Sequence, residues 1–238
     1  MISIVVPTFR EADSLPSLIE RVAQLRRQAE LELELLIVDD DSRDGSEALI
    51  AARPEPWLRL FVRREDRGLS QAVLFGLSRA RGDILVVMDA DLSHPPEVIP
   101  AMLAELRAGA DFVLGSRYVQ GGTTAEGWGL FRFVNSKIAT YLARPLTRVS
   151  DPMSGFFALP RNVFARAENP SPLGYKIGLE LLVRCRCRNV REIPIHFSNR
   201  EHGESKLTLQ QQLLYLRHLA RLYRFRFGPP AVSASREP

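Results

Sequence analysis

The stretch Leu85–Pro96 reads LVVMDADLSHPP, an apolar run that ends abruptly in two carboxylates. Ile84–Met88 is apolar throughout, which is typical of a central parallel strand covered on both faces. In open α/β sheets, ligands bind beyond the carboxyl ends of such strands, where Asp89 and Asp91 follow. Two hard oxygen ligands suit Mg²⁺ or Mn²⁺, so the stretch predicts a divalent-metal site. The alternative is an acidic turn that caps a helix starting near Pro95.

Strands and helices alternate along the first half of the chain. The pattern predicts strands at 2–6, 33–38, 58–62, 84–88 and 111–114, with helices at 16–29, 46–52, 70–81 and 95–106 between them. Pro7 is expected to end the first strand, because proline lacks the ladder donor. Connections of this length require parallel crossovers. We therefore predict an α/β fold with a mostly parallel sheet flanked by helices.

The second half is less regular. It predicts helices at 130–146 and 178–188, strands at 156–159 and 190–197, and a final helix of about 20 residues. The glycine-rich segment 120–129 is either a lid over a site or slack between two elements. No composition shift marks a linker, so residues 1–227 are expected to form a single domain, with a disordered tail at 228–238.

Composition and charge set broad limits. The chain has 32 Lys and Arg against 28 Asp and Glu, and a net charge of +4 does not indicate a particular class of binding partner. No nucleic-acid-binding motif is present in the sequence. Cys185 and Cys187 are expected to be reduced, and on a helix they would point apart. The N-terminus begins with a strand rather than a signal peptide, and no apolar run approaches the roughly 20 residues of a membrane span. We expect a cytoplasmic protein, or one attached to a membrane from outside.

Charged side chains gather at the predicted strand ends. Asp39–Asp41 follow the second strand, where three adjacent acids would repel one another unless a base, a ribose or a cation engages them. Asp44 can also cap the helix at 46–52. Asp40 is one of these acids, Glu11 and Arg117 follow other strands, and a later loop carries Arg200 and Lys206. Acids on one side and cations on the other predict a pocket for a charged diphosphate ligand. Neither a P-loop nor a dinucleotide fingerprint is present.

Two helices carry apolar stripes. On the helix at 130–146 the stripe contains Phe131, Val134, Ile138 and Leu142. On the last helix it contains Leu209, Leu213, Leu216, Leu219, Ala220 and Tyr223, and four arginines crowd the end among aromatic residues. A basic helix with aromatics is typical of a headgroup interface. It could equally pack in the core with its arginines favouring the helix C-terminus.

Seven short motifs, in a fixed order along the chain, are similar to those of a known protein family. The motifs are VVPTFRE (5–11), VDDDSRDG (38–45), MDADLSHPPE (88–97), GSRY (115–118), SDPMSGF (150–156), GYK (174–176) and GESKL (203–207). The chain resembles the family-2 glycosyltransferases of the GT-A fold, and within them the polyprenyl-phosphate mannose synthases. The resemblance spans residues 2 to about 210.

The resemblance implies roles for individual residues. The guanosine of GDP-mannose would contact Pro7, Phe9, Glu11, Val38 and Asp40. The metal and diphosphate would lie on Asp89, Ala90 and Asp91, with Ser93 where the family often has glutamine. Arg117, Arg200 and Lys206 would complete the donor site, with Asp91, Arg200 and Lys206 carrying the catalysis. The implied cofactor is Mg²⁺ or Mn²⁺.

The implied acceptor is a polyprenyl phosphate of the dolichyl type at a membrane surface, contacted through the basic C-terminal helix. A lipid phosphate is largely ionised at neutral pH, which fits the lack of a convincing histidine base; His94, beside two prolines, is interpreted as structural. Ser154 and Lys176 are candidate acceptor contacts. The alternatives are UDP-glucose or another donor, a glycan hydroxyl as acceptor, or a non-catalytic binding module.

Overall fold

A single mixed sheet runs through the molecule. The computed structural model describes residues 1–53, 55–124, 130–198 and 209–228. Seven strands join in the order β3-β2-β1-β4-β7-β5-β8. They are β1 (Ile2–Thr8), β2 (Leu33–Asp39), β3 (Leu58–Val62), β4 (Ile84–Val87), β5 (Phe112–Ser116), β7 (Phe157–Pro160) and β8 (Val190–Pro194). The pairs of β1 with β2 and β4, of β2 with β3 and of β5 with β8 are parallel, which confirms the predicted α/β class.

The helices cover both faces of this sheet. They are α1 (Leu15–Gln28), α2 (Ser46–Ala51), α3 (Leu69–Arg79), α4 (Ile99–Arg107), α5 (Leu130–Ala143), α6 (Arg161–Phe164), α7 (Ile177–Arg184) and α8 (Leu209–Phe227). One core lies under α1 and α4, and the other lies under α3, α7 and α8. Helix α3 comes closest to the sheet at Gly76, where a Cβ would clash with Val5.

Strand β1 continues through Pro7, contrary to the expectation that Pro7 ends it. Val5 accepts a hydrogen bond from Met88 on the β4 side, and alternate residues of a parallel strand face the same neighbour. Pro7 therefore faces β4 beyond the point at which that strand ends, so its missing N–H removes no ladder bond. The register with β2 extends to Thr8 opposite Asp39.

Strand β7 is the one antiparallel member of the described sheet. It pairs with β4 on one side and with β5 on the other. The strand predicted at 190–197 is divided in two. After β8, the segment β9 (His196–Phe197) pairs with β6 (Thr123–Thr124) in a separate small ladder. The sheet is therefore mixed at its centre.

Cys185 and Cys187 were predicted to point apart on a helix, but the helix ends before either of them. Helix α7 stops at Arg184, and Arg186 has a left-handed φ of 53°. This turn brings the two thiols together: a hydrogen bond from Cys187, against the opposing effect of burial, holds the pKa of Cys185 below its ordinary value. Both cysteines are free thiols.

Hydropathy along the helices bears on membrane insertion. In the described part of the chain, no helix combines the length and the apolar character that crossing a bilayer requires. The predicted tail lies, apart from Gly228, outside the described residues, and the single domain at 1–227 stays a prediction.

Candidate active site

A cavity of about 1050 Å³ opens at the carboxyl edge of the parallel strands. Because β1, β2 and β4 run parallel side by side, the loops that follow them meet at one place. The predicted site residues that line it are Pro7, Phe9, Glu11, Asp40, Asp89, Ala90, Asp91, Arg117, Ser154 and Lys176. The sheet topology thus gathers residues from six separate motifs.

The two carboxylates after β4 both line the cavity. The strand ends at Val87, and the chain then bends. Asp91 is buried, and its Oδ1 accepts bonds from the Ser93 amide at 3.1 Å and the Ser93 hydroxyl at 2.5 Å. The side chain of Asp89 is 30% exposed. In this described segment no side chain caps the following 3₁₀ turn, so the cap alternative is wrong.

Ser93 does not face the cavity, although it was a candidate metal ligand. Its side chain is fully buried, and its hydroxyl donates to Asp91. A hydroxyl held in this way orients the Asp91 carboxylate. The role of Ser93 as a metal ligand stays a prediction.

His94 holds the loop that carries these acids. Its Nδ1 accepts a hydrogen bond from the Asp89 amide at 3.0 Å. The ring is buried and stacks on Phe156 at 5.3 Å between centroids, with Phe197 against its edge at 5.5 Å. The structural interpretation of His94 agrees with these contacts. Its hydrogen-bond partner, the backbone of a predicted metal ligand, has no signal in the local sequence.

The acids after β2 find partners within the protein. Asp39 accepts bonds from Thr8 and from the Ser42 amide. Asp40 accepts bonds from Arg63 at 2.8 Å and from the Gly68 amide at 2.6 Å. Burial raises the pKa of Asp40 above its ordinary value, against the lowering effect of these two donors. No external cation or ribose is needed to explain this cluster.

Asp44 is not the N-cap of α2. That position belongs to Gly45, with a left-handed φ of 97°. Asp44 lies one residue earlier, where Oδ1 accepts from the Ser46 amide at 3.1 Å and Oδ2 accepts from the Ala12 amide at 3.0 Å. The carboxylate therefore joins the loops after β1 and β2.

Arg117 is fixed by a buried carboxylate. Its Nε and Nη2 donate to the two oxygens of Asp151 at 2.7 Å each, and its amide donates to the same group at 3.1 Å. Asp151 is fully buried. Its own amide donates to Glu192 of β8. This bidentate pair joins the end of β5 to the loop before β7.

Lys176 lies at the N-cap of α7 and lines the cavity. Burial and the nearby Arg117 guanidinium lower the pKa of its ammonium to about 8, although Asp151 and Asp89 act in the other direction. Ser154 is buried, with its hydroxyl 3.2 Å from the Phe156 amide. Both candidate acceptor residues therefore line the same cavity as the metal candidates.

Helices α5 and α8 form an apolar wall that sequence reasoning placed differently. Ile138 is 54% exposed, Leu213 60% and Leu216 49%, although all three belong to the predicted stripes. Leu219 and Leu222 of α8 are buried in the core. The last helix therefore packs inward on one side and presents leucines outward on the other. Ile138 and Leu216 also line the cavity.

Besides Ser93, three predicted residues do not appear in the described lining. Val38 is fully buried in the core beside Gly76. Arg200 and Lys206 lie outside the described residues, so their roles stay predictions. Sequence reasoning missed Asn135, Gln211, Gln212 and Tyr215, which line the cavity from α5 and α8. A polar residue beside an exposed apolar stripe is the signal that could have found them.

Comparisons with known proteins identify the family to which this chain is similar. The family described as "Glycosyl transferase family 2" matches residues 3–166. A dolichol-phosphate mannosyltransferase from Mycosarcoma maydis is 44% identical over 235 residues, covering 95% of this chain and 80% of the relative. One from Pyrococcus furiosus is 40% identical over 232 residues, covering 94% of this chain but only 64% of the relative.

Solved structures share the fold at lower identity. Mannosyl-3-phosphoglycerate synthase from Rubrobacter xylanophilus superposes with a TM-score of 0.73 at 21% identity, covering 98% of this chain and 77% of that one. Glucosyl-3-phosphoglycerate synthase from Mycobacterium tuberculosis, in complex with Mn²⁺, uridine diphosphate and glucosyl-3-phosphoglycerate, gives 0.67 at 21% identity, covering 97% and 81%. These likenesses show the fold alone.

Proposed function

This chain belongs to glycosyl transferase family 2, and from that premise we propose that it transfers mannose from GDP-mannose to a polyprenyl phosphate of the dolichyl type. Its relatives at 40–44% identity carry the name dolichol-phosphate mannosyltransferase. The observation that carries the proposal is one cavity that joins a carboxylate pair at the sheet edge to an apolar wall of two helices. A charged donor suits the first feature, and a lipid acceptor suits the second.

The donor end is formed by the loops after β1, β2 and β4. Phe9 is 43% exposed at this end, as a ring that could stack on a nucleobase would be. Glu11 and Asp40 line the same region and can accept bonds from base or ribose donors. These loops would therefore hold the guanosine and direct its diphosphate toward Asp89 and Asp91.

A divalent cation fits the carboxylates of Asp89 and Asp91. Both are hard oxygen donors that line the cavity, and Ser93 fixes the orientation of one of them. Across the described ranges, no group of three or more His, Cys, Asp or Glu side chains is arranged to hold a metal. Diphosphate oxygens and water would complete the shell. When bound, the ion supplies Lewis-acid stabilisation of the departing diphosphate.

The acceptor end lies between Lys176 and the apolar wall. A phosphate monoester has a second pKa of about 6, so the attacking oxygen is already ionised at neutral pH. Lys176 would orient this phosphate by charge, and Arg117, held by Asp151, adds positive charge nearby. The phosphate oxygen attacks the anomeric carbon as the bond to the diphosphate breaks. Direct displacement on an α-linked donor yields a β-linked lipid phosphosugar.

We also propose that the outer side of α8 contacts the membrane in which the lipid lies. Leu213 and Leu216 face outward there, and Arg217, Arg221, Arg224 and Arg226 are on the same helix. Apolar and basic residues together favour a headgroup interface. Because Leu216 also lines the cavity, a lipid phosphate could enter from that interface without leaving it.

The test is transfer of radiolabelled mannose from GDP-mannose to a polyprenyl phosphate in detergent, with Mg²⁺, Mn²⁺ or EDTA. Metal-dependent formation of a glycolipid labile to mild acid is expected. Asp91→Ala should lower the rate about 100-fold or more, because several kcal/mol of charge stabilisation depend on the bound ion. The matched control is Asp83→Asn, an exposed carboxylate at the opposite edge of the sheet.

Two results would contradict this proposal. Near-normal transfer by Asp91→Ala with metal present would remove the carboxylate pair from the mechanism. Product from UDP-glucose, with none from GDP-mannose, would keep the fold and the acceptor but change the sugar donor.

A further inference from the structure

A buried charged pair joins α7 to α8 behind the cavity wall. Glu180 and His218 are both buried, and the His218 Nε2 lies 2.8 Å from the Glu180 Oε2. Neither residue is among the described residues that line the cavity. The donor site and the proposed acceptor contacts therefore leave this pair unexplained.

The pair holds the segment 171–176, of which Leu173, Gly174, Tyr175 and Lys176 line the cavity. Glu180 Oε1 accepts a bond from the Ser171 amide at 2.8 Å. His218 Nδ1 lies 3.1 Å from the Leu173 carbonyl oxygen. One residue of the pair thus holds the start of the segment, and the other holds its middle.

Two further helical contacts support the same segment. Ser70 of α3 donates to the Gly174 carbonyl at 2.7 Å, and Arg221 of α8 donates to the Ser171 hydroxyl at 3.2 Å. Lys176 follows directly and begins α7. The wall that presents Lys176 to the cavity is therefore fixed by α3, α7 and α8 together.

The hydrogen-bond partners define the charge of His218. A backbone carbonyl and an ionised carboxylate both accept, and the imidazolium is the form of histidine that donates from both ring nitrogens at once. Burial opposes the ionisation of Glu180, but the bonds from His218 and the Ser171 amide, with the nearby Arg184, hold its pKa below the ordinary value. The charged groups facing His218 are thus Glu180 and, behind it, Arg184, whose Nε lies 2.5 Å from Glu180 Oε1.

Stability alone is a weak reason to bury such a pair. Removing two charges from water is costly, and well-packed apolar residues often serve a core at least as well. What an ion pair supplies is directionality, because its hydrogen bonds fix one arrangement of the segments it joins.

We propose that Glu180 and His218 are positioning residues for the acceptor phosphate, because they fix the wall 173–176 and with it the ammonium of Lys176. This inference rests on the proposed function. It also gives α8 a second role, since the helix that presents leucines outward is the one that carries His218. Membrane contact on the outer face of α8 could therefore affect the geometry of the acceptor site through His218.

The first test compares three variants in the mannose-transfer assay. In His218→Gln both donors are on one nitrogen and the amide oxygen only accepts, so one of the two bonds made by the ring is lost. The variant should raise the KM for polyprenyl phosphate about tenfold, the effect of one charge-assisted hydrogen bond. The KM for GDP-mannose should be unchanged. Glu180→Gln should keep the wild-type KM for the lipid, because its amide can donate to a neutral His218 whose other nitrogen still bonds to Leu173.

The matched control is Glu34→Gln. Glu34 is also a buried carboxylate, bonded to Ser3, Arg59 and the Arg81 amide at the far edge of the sheet. It should lower stability without a selective change in the KM for the lipid. An equal change in both substrates' KM in His218→Gln, or the same selective change in Glu34→Gln, would overturn the proposal.

Two readouts are independent of turnover. Amide hydrogen exchange at 171–176 should quicken in His218→Gln and not in Glu34→Gln. Nitrogen NMR of labelled histidine should show both His218 ring nitrogens protonated in the wild type and only one in Glu180→Gln. A neutral His218 in the wild type, or unchanged exchange in His218→Gln, contradicts the positioning role. If the wild type transfers no mannose from GDP-mannose, the proposed function is overturned. Amide hydrogen exchange at 171–176 then decides separately whether Glu180 and His218 hold the wall 173–176.

Discussion

At the scale of single residues, the ammonium of Lys176 has a pKa low enough to lose its charge in mildly alkaline solution. Desolvation and the positive charge of Arg117 lower this pKa to about 8. The charged form is therefore present below about pH 8 and is lost above it. The loss of this charge should weaken the binding of an anionic acceptor, and it falls within the pH range in which most enzymes are assayed.

We expect the KM for polyprenyl phosphate to rise as the pH passes through about 8. The lipid phosphate is already doubly ionised above its second pKa of about 6, so its own titration does not interfere. Initial rates measured from pH 6.5 to 9.5 at saturating donor check this. In Lys176→Arg the rise should vanish, because a guanidinium stays protonated. A flat profile in the wild type would remove Lys176 from the acceptor site.

Residue patterns predicted the cavity better than they predicted its internal bonding. The alternation of strands and acids was enough to bring Asp89, Asp91 and Asp40 to one edge, because parallel strands end together. The partners of the acids could not be foreseen. Arg63 reaches Asp40 from the end of β3, a contact that depends on sheet order and has no local signal.

At the scale of elements, the Arg117–Asp151 pair determines how β5 meets the loop before β7. Asp151→Ala should lower the free energy of unfolding by about 3–5 kcal/mol, because it leaves a buried guanidinium without its counter-charge. Denaturant unfolding followed by circular dichroism measures this. The control is Glu168→Ala, which breaks an exposed pair with Arg186 and should cost about 1 kcal/mol or less. Equal costs for the two variants would argue against a structural role for Asp151.

The two sides of α8 should respond differently to substitution. Replacing both Leu213 and Leu216 with Ser should weaken binding to mixed neutral and anionic phospholipid vesicles by about 2 kcal/mol, roughly 30-fold. Their exposure means that stability should hardly change. Leu222→Ala on the inner side should instead cost about 2–5 kcal/mol of stability. Vesicle co-sedimentation measures membrane binding, and thermal unfolding measures stability. Undiminished vesicle binding by the double variant would exclude the face with Leu213 and Leu216 as the membrane contact.

Helical stripes show why element-scale prediction was incomplete. The spacing of Ile138 and Leu142, or of Leu213 and Leu216, identifies one face of a helix but not what covers it. The structure leaves part of both stripes facing a cavity or solvent. The two alternatives for the last helix, packing in the core or an outward interface, use different sides of it, so its sequence pattern alone does not distinguish them.

At the scale of the whole molecule, the donor site should contribute to stability by mass action. GDP at about 100 times its dissociation constant should stabilise the fold by about 2.7 kcal/mol when Mn²⁺ is present. Differential scanning fluorimetry with GDP, UDP and EDTA checks this. We expect EDTA or Asp91→Ala to remove most of the shift and UDP to give a smaller one. Equal shifts for GDP and UDP would contradict the choice of guanosine.

Topology was the least predictable property at this scale. The first two crossovers follow a local rule, since each returns the chain to a neighbouring parallel strand. The third carries the chain from β3 past β2 and β1, so that β4 pairs with the other side of β1. Strand β7 does not follow that rule: it arrives after β5 and yet inserts between β5 and β4. Nothing in the run FALP from Phe157 announces an antiparallel central strand.

The insertion of β7 has a consequence for biosynthesis. Strand β4 ends at Val87, but its second neighbour begins at Phe157, about 70 residues later. At roughly 5–20 residues per second, the ribosome supplies that neighbour about 4–14 s afterwards. During this interval the nascent sheet has an apolar edge at Ile84–Val87 open to pairing with another chain. A chaperone that shields this edge on the ribosome would then matter more for the yield of native protein than one acting on the finished polypeptide.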